Sequence, residues 1–217
     1  MAPKVTLFSL ALPSSNPPKI VILLEELGVE YTLIRKERDD VLNGVKAEDF
    51  LKISPNGCVP ALVDHTNNDF VIWESAAILL YIAERFDPLH KLIGKTLEER
   101  AEVWEWLMYQ TSGLGPMQAQ LFWFKVRHPV KNLDRSVYDR YENEAYRIFD
   151  VLEKHLEKHE WVALDKFTVA DIAFFTRLNV ATLAGLTFDK FLKLDAYVAK
   201  IKARPTVIRA YERLTAA

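Results

Sequence analysis

Apolar positions change their period along the chain. Val5–Leu10 alternates as a strand does, and Tyr31–Arg35 gives a second strand. Between them, Lys19–Leu27 carries helical spacing and ends at Gly28, a residue suited to a helix C-cap. Ala47–Ile53 reads as a short helix. Ala61–Val63 and Phe70–Ile72 are short strands, joined through the polar turn Asp64–Asp69 into a hairpin. Ser75–Phe86 is an amphipathic helix. The order β-α-β-α-β-β-α predicts a small sheet with helices packed on it.

Beyond residue 86 the strand period disappears. Residues 87–95, with Pro88 and Gly94, read as a linker. Leu97–Phe124 has apolar residues at 97, 101, 103, 104, 107 and 108, with a break expected near Ser112–Pro116. Asp134–Lys158 places Val137, Tyr141, Ala145, Ile148, Phe149, Leu152 and Leu156 on one face. Val169–Ala184, Phe191–Ala203 and Pro205–Leu214 supply further helices. The expected organisation is an α/β domain at 1–86, the linker at 87–95 and an all-helical domain at 96–217.

Composition narrows the function classes. With 28 basic and 30 acidic residues in 217, no polyanion-binding face is expected and nucleic acid is disfavoured as a partner. Apolar runs are too short to span a bilayer. The amino-terminal stretch MAPKVTLFSLALP lacks a small-residue cleavage pattern. A single cysteine excludes an internal disulfide framework. The expectation is a soluble, cytoplasmic protein that uses no metal.

Three short stretches carry candidate chemistry. In PSSNPP (13–18), Asn16 and Pro17 form an N-cap and N1 pair. A helix start there, with Ser14, Ser15 and Asn16 as donors, would favour a thiolate; the alternative is a plain helix cap. In SPNGCVPALVD (54–64), Pro60 stands where a strand should begin. A cis bond at Val59-Pro60 would leave the Val59 backbone available to an extended ligand. In WES (73–75), Ser75 is a candidate N-cap whose neighbouring N–H groups would hold a carboxylate, and Glu74 could pair with an ammonium. Together they would serve both ends of an amino-acid zwitterion, or be a cap beside a surface glutamate.

Other features read as structural. Thr168-Val-Ala-Asp171 is a capping box before a core helix. Cys58 has no CxxC partner and is expected to pack. His155 and His159, four residues apart, lack an evident third metal ligand and read as a solvated face. Leu121–Phe124 could wall an apolar pocket or belong to the core.

In combination, VPAL at 59–62, WESAAILLYI at 73–82 and TVADIAF at 168–174 resemble the cytosolic glutathione transferases. SSNPPKIVILLEELGVEY, SPNGCVPALVDH, IWESAAILLYIAERF and WLMYQTSGLGPMQAQ are similar to the fungal members related to the yeast nitrogen-catabolite regulator, and to those serving secondary metabolism. The resemblance covers essentially the whole chain. It implies a thioredoxin-like domain with a cis-proline, an all-α domain and a homodimer.

It also implies roles. Asn16, with Ser14 and Ser15 as further candidates, would face the sulfur of glutathione, which serves as co-substrate. Val59, before Pro60, would pair with the cysteinyl unit. Glu74 would take the γ-glutamyl ammonium and Ser75 its carboxylate. Relatives often carry Lys or Arg where Cys58 stands, so the glycyl carboxylate would fall to Lys46 or Lys52. Phe8 lies in the first strand and no tyrosine precedes Tyr31, which excludes a tyrosine mechanism. The implied reaction is attack of the glutathione thiolate on a small apolar electrophile bound near residues 104–124, with hydroperoxide reduction as a side activity. Detoxification is the expected setting. The alternatives are a regulatory or scaffold protein, disfavoured by the start of the first strand at Val5, and a dedicated step in secondary metabolism.

Overall fold

The computed structural model describes residues 3–10, 13–38, 40, 42–130 and 133–216. Residues 1, 2, 11 and 12 of the amino-terminal apolar stretch lie outside these. The chain divides into two compact units, Met1–Lys91 with Arg204–Ala217, and Leu92–Ala203.

The first unit is built on a mixed four-stranded sheet. Its strands are β1 (Val5–Ser9), β2 (Tyr31–Arg35), β3 (Ala61–Asp64) and β4 (Phe70–Trp73), in the order β2-β1-β3-β4. β1 runs parallel to β2, which requires a crossover, and helix α1 (Pro17–Leu27) supplies it. β3 pairs antiparallel with both β1 and β4, and the β1–β3 ladder runs from Val5–Asp64 to Phe8–Ala61. Helices α2 (Glu48–Ile53) and α3 (Ser75–Phe86) complete the α/β layout. Gly28 closes α1 with φ +62°, the left-handed cap that glycine adopts without a Cβ penalty.

Every residue of α1 from Pro17 to Leu24 is buried. The last helix of the chain explains part of this. Helix α9 (Pro205–Ala216), which follows the helical segment in chain order, packs on α1 within the first unit. Charge fixes the seam. Glu26 takes a two-pronged bond from Arg204 at 2.9 and 3.0 Å, and Glu25 pairs with Arg209 and Arg213 at 3.1 Å each. Both glutamates are nearly buried, so these pairs contribute more than surface pairs would.

The second unit is helical. It comprises α4 (Leu97–Tyr109), α5 (Gly115–Phe122), α6 (Arg135–Leu156), α7 (Val169–Leu178) and α8 (Leu192–Lys202). The break expected near Ser112–Pro116 is absent. The helix instead runs through a π turn, Gln110–Leu114, in which the Gly115 N–H bonds to the Gln110 carbonyl. Pro116 has no N–H to give, and widening the turn accommodates it. The reading of Val169–Ala184 as one helix is also corrected: α7 stops at Leu178, and Ala181–Ala184 is a separate 3-10 turn. On α6 the apolar face buries Ala145, Ile148, Phe149 and Leu152 completely.

The capping box anchors α7. The Asp171 carboxylate accepts from the N–H groups of Val162 and Thr168, from the Thr168 hydroxyl and from Tyr197. Burial pushes its pKa up to about 6.

Candidate functional site

The candidate residues of the first unit arise from three adjoining breaks in regular structure: before α1, before β3 and before α3.

Asn16 occupies the N-cap of α1 but already has helical dihedrals, φ −88° and ψ −48°, and its side chain makes no capping bond. The reading of Asn16 as a cap side chain is therefore corrected. The two prolines also change what the helix start offers. Pro17 and Pro18 lack N–H groups, and the Lys19 N–H is engaged by the Asn16 carbonyl at 3.2 Å. Few backbone donors remain there for an anion. The Asn16 amide, half-buried and not spent on a capping bond, stands at this end of α1 with the dipole behind it. Ser15 is buried beside it and Ser14 half-buried.

Before β3, the Val59-Pro60 peptide is cis. Val59 lies two residues short of the β1–β3 ladder. Among the described residues, no backbone hydrogen bond engages its N–H or carbonyl. Its side chain packs on the cluster of Phe8, Val45, Phe50 and Ala61, which fixes the strand entry from below. Phe8 meets Phe50 edge to face, with centroids 5.5 Å apart.

The neighbouring loop brings in one of the two candidate lysines. Lys46 donates to the Asn56 carbonyl at 3.0 Å, two residues before Cys58. Lys52 turns to its own helix, 3.0 Å from Asp49 and 3.7 Å from Glu48. Cys58 was expected to pack, but its thiol is free and exposed. What holds the residue is its carbonyl, which accepts from the Ser54 hydroxyl at 2.9 Å.

At the start of α3 the assignment shifts by one residue. Glu74, not Ser75, is the N-cap, and Ser75 is the first helical residue. Glu74 has φ +72° and ψ 117°, a conformation that costs a side-chain-bearing residue of order 1–3 kcal/mol. The side chain is exposed. Ser75 is buried, and its hydroxyl accepts from the Lys19 ammonium at 3.2 Å. Lys19 escaped the sequence reading because it sits in the apolar run KIVILL and looks like a stray surface lysine. Its only signal was position: it lies in the first turn of a helix whose start was already suspect. A buried cation beside the unpaired N–H groups of a helix start makes an anion-binding corner.

The remaining candidates scatter within the helical unit. His155 and His159 stack with centroids 4.3 Å apart, and their ring nitrogens engage the Trp161 carbonyl and Asp165. His155 also packs on Trp106 and is half-buried, so a wholly solvated face is not what the pair forms. Leu121 is core, Phe124 stacks on Tyr141, and Trp123 is exposed. Among the described residues, no helix is long and apolar enough to cross a membrane.

Comparison with known proteins places most of the chain in one family. The glutathione S-transferase N-terminal domain matches residues 3–84, and the C-terminal domain of the same family matches 114–205. Glutathione S-transferase 2 of Schizosaccharomyces pombe is 36% identical, over 93% of each chain. The crystal structure of glutathione transferase URE2P5 from Phanerochaete chrysosporium superposes with a TM-score of 0.90 at 34% identity, covering 99% of this chain and 96% of that one. URE2P8 of the same fungus, solved with oxidised glutathione, gives 0.90 at 33%, with the same coverage.

Proposed function

Because the chain belongs to the glutathione S-transferase family, we propose that its first unit binds glutathione along the Val59 edge and activates the sulfur at Asn16. The residues fit the tripeptide in order. The Val59 N–H and carbonyl supply a strand edge for the cysteinyl unit. The α3 start, Ser75 and the buried Lys19 ammonium receive the γ-glutamyl carboxylate, and Glu74 its ammonium. Lys46 rather than Lys52 takes the glycyl carboxylate, since Lys52 is already paired on α2.

The observation that carries the proposal is the Asn16 amide, which stands at the start of α1 and is not used as a cap. Its N–H, with Ser14 or Ser15, stabilises the thiolate over the thiol. A pKa lowered by two units raises the thiolate fraction at neutral pH by up to about 100-fold. The thiolate attacks an apolar electrophile held by the helical unit, where Trp104 and Met108 are exposed. The same thiolate reduces an organic hydroperoxide as a side activity.

We further assign the protein to the cytoplasm as a homodimer with a detoxifying role. Strand β4 supports the dimer: it is a sheet edge, and it leaves Phe70, Val71 and Trp73 exposed.

The test is Asn16→Ala. Conjugation turnover falls by 10-fold or more while the glutathione dissociation constant, followed by Trp73 fluorescence, changes little. Unchanged turnover in Asn16→Ala with a large loss in Ser15→Ala would move the sulfur contact to Ser15.

A further inference from the structure

At the end of β3 opposite to Val59, a histidine joins a hydroxyl to a carboxylate. His65 Nε2 lies 2.8 Å from the Thr6 hydroxyl, and His65 Nδ1 lies 2.5 Å from Asp69 Oδ1. The register explains the first contact. Thr6 faces Val63 in the β1–β3 ladder, and His65 stands two residues beyond Val63, so it is a diagonal neighbour of Thr6 on the same face. The His65 N–H bonds to the Lys4 carbonyl at 3.0 Å, which carries the pairing one step past β3. The turn explains the second contact. Asn68 and Asp69 both take left-handed dihedrals, φ +51° and +53°, which these two residue types tolerate, and the chain bends back until Asp69 meets the ring.

The order of these bonds fixes where the protons sit. An ionised carboxylate only accepts, so the Asp69 contact requires the hydrogen on His65 Nδ1. In the neutral imidazole Nε2 then carries a lone pair, and the Thr6 hydroxyl donates to it. Hydroxyl, base and orienting acid, each within hydrogen-bond reach of the next, make the arrangement of an activated nucleophile. Thr6 is held on both flanks, opposite Thr32 of β2 and Val63 of β3, and its β-branched side chain is stiff, so the hydroxyl is positioned before any ligand arrives. The Thr6–His65 contact lies at the surface, and the His65 side chain is 39% exposed, so a small molecule can reach the ring.

We propose that Thr6 is an acyl acceptor, and that this site hydrolyses small activated esters, such as aryl acetates, without glutathione. Thr6 Oγ1 attacks the ester carbonyl while His65 Nε2 takes its proton. The bond from Oγ1 to the acyl carbon forms, the bond from that carbon to the aryl oxygen breaks, and the departing aryl oxide receives the proton from His65. Water, deprotonated by the same nitrogen, then attacks the acyl-Thr6 ester, releasing the acid and restoring the hydroxyl. His65 is the base. Asp69 acts through it as a positioning residue, by keeping the hydrogen on Nδ1.

The experiment follows hydrolysis of 4-nitrophenyl acetate by the intact protein in the absence of glutathione, with peptide mass spectrometry after an acid quench. One acetyl group on Thr6 is expected. Thr6→Val, which keeps the shape of the side chain, and His65→Gln are each expected to lower the rate at least about 10-fold, with thermal unfolding as the check that both remain folded. Asp69→Asn should lower the rate as well and move the ring hydrogen of His65 towards Nε2, which nitrogen NMR of the imidazole reads; a merely structural role for Asp69 would leave the tautomer unchanged. Acetyl groups confined to lysines or the amino terminus of the natural protein would overturn the proposal, and this result needs no variant. A rate that survives Thr6→Val, with acetyl on the His65 ring, would overturn it too, because the imidazole would then be the nucleophile. An unchanged rate and tautomer in Asp69→Asn would remove Asp69 from the mechanism.

Discussion

The Lys19 ammonium lies 3.2 Å from the Ser75 hydroxyl, and both groups are buried. This contact joins the first turn of α1 to the first turn of α3, the two helix starts that the proposed glutathione site uses. Lys19→Met keeps the length and apolar stem of the side chain but removes the charge. Glutathione affinity is expected to drop about 10-fold, the scale of one charge-assisted contact. Ser75→Ala should weaken binding similarly, and the double variant should lose less than the sum, because the two groups act on one carboxylate. Calorimetric titration of the three variants checks this. Full additivity would mean that Lys19 does not work through Ser75.

Asp171 accepts four hydrogen bonds inside the helical unit, so its removal leaves four donors without a partner. Asp171→Ala is expected to cost about 4 kcal/mol, the size of breaking a buried polar network. Thr168→Ala, which loses mainly the cap, should cost about 1 kcal/mol. Urea denaturation of both variants measures the difference. Equal losses would mean that the cap alone, and not the network, fixes α7.

Much of this was legible in the chain because local rules and the fold agree. The strands, the α1 C-cap at Gly28 and the capping box at Thr168 follow from residue type and spacing. Other features required the third dimension. The π turn could not be read because Pro116 signals a break, whereas packing on both sides keeps the helix running through it. The place of α9 on α1 depends on Glu25 and Glu26 meeting three arginines about 180 residues away. The candidate residues lie at helix starts and at the strand entry, as their sequence pattern suggested, but two local readings changed. Asn16 had the sequence of a cap and does not cap. Ser75 had the sequence of an N-cap and lies one residue inside the helix. Lys19 was hidden because a cation in an apolar run gives no sign of being buried.

Gly57 shapes the loop before the Val59 edge. It adopts φ +60°, and a Cβ there would come 2.8 Å from the Val45 carbonyl and 2.7 Å from Lys46 Nζ. The lysine end can move, but the carbonyl cannot without shifting the loop. Gly57→Ala is therefore expected to destabilise the first unit by about 1–3 kcal/mol and to weaken glutathione binding as well. Thermal unfolding and glutathione titration of one preparation test both parts. Weakened binding at unchanged stability would mean that the loop adapts and only Lys46 is displaced.

Asp64 gives a pH signature. It ends β3 with a fully buried side chain. Burial acts to raise its pKa, but bonds from Thr66 and Tyr81 and the nearby Arg85 outweigh this and hold it below the ordinary value of 3.8. A carboxylate with a depressed pKa binds fewer protons folded than unfolded, so its stabilising contribution is complete above the unfolded pKa. It is lost as pH falls through the lower, folded value. Asp64→Asn removes the ionised form at every pH. The stability gap between the natural protein and Asp64→Asn, about 1–3 kcal/mol, should be equal at pH 7 and pH 5 and close only below about pH 4. Urea unfolding at several pH values measures it. A gap that already narrows between pH 7 and pH 5 would show that burial, and not the bonds from Thr66 and Tyr81, governs Asp64.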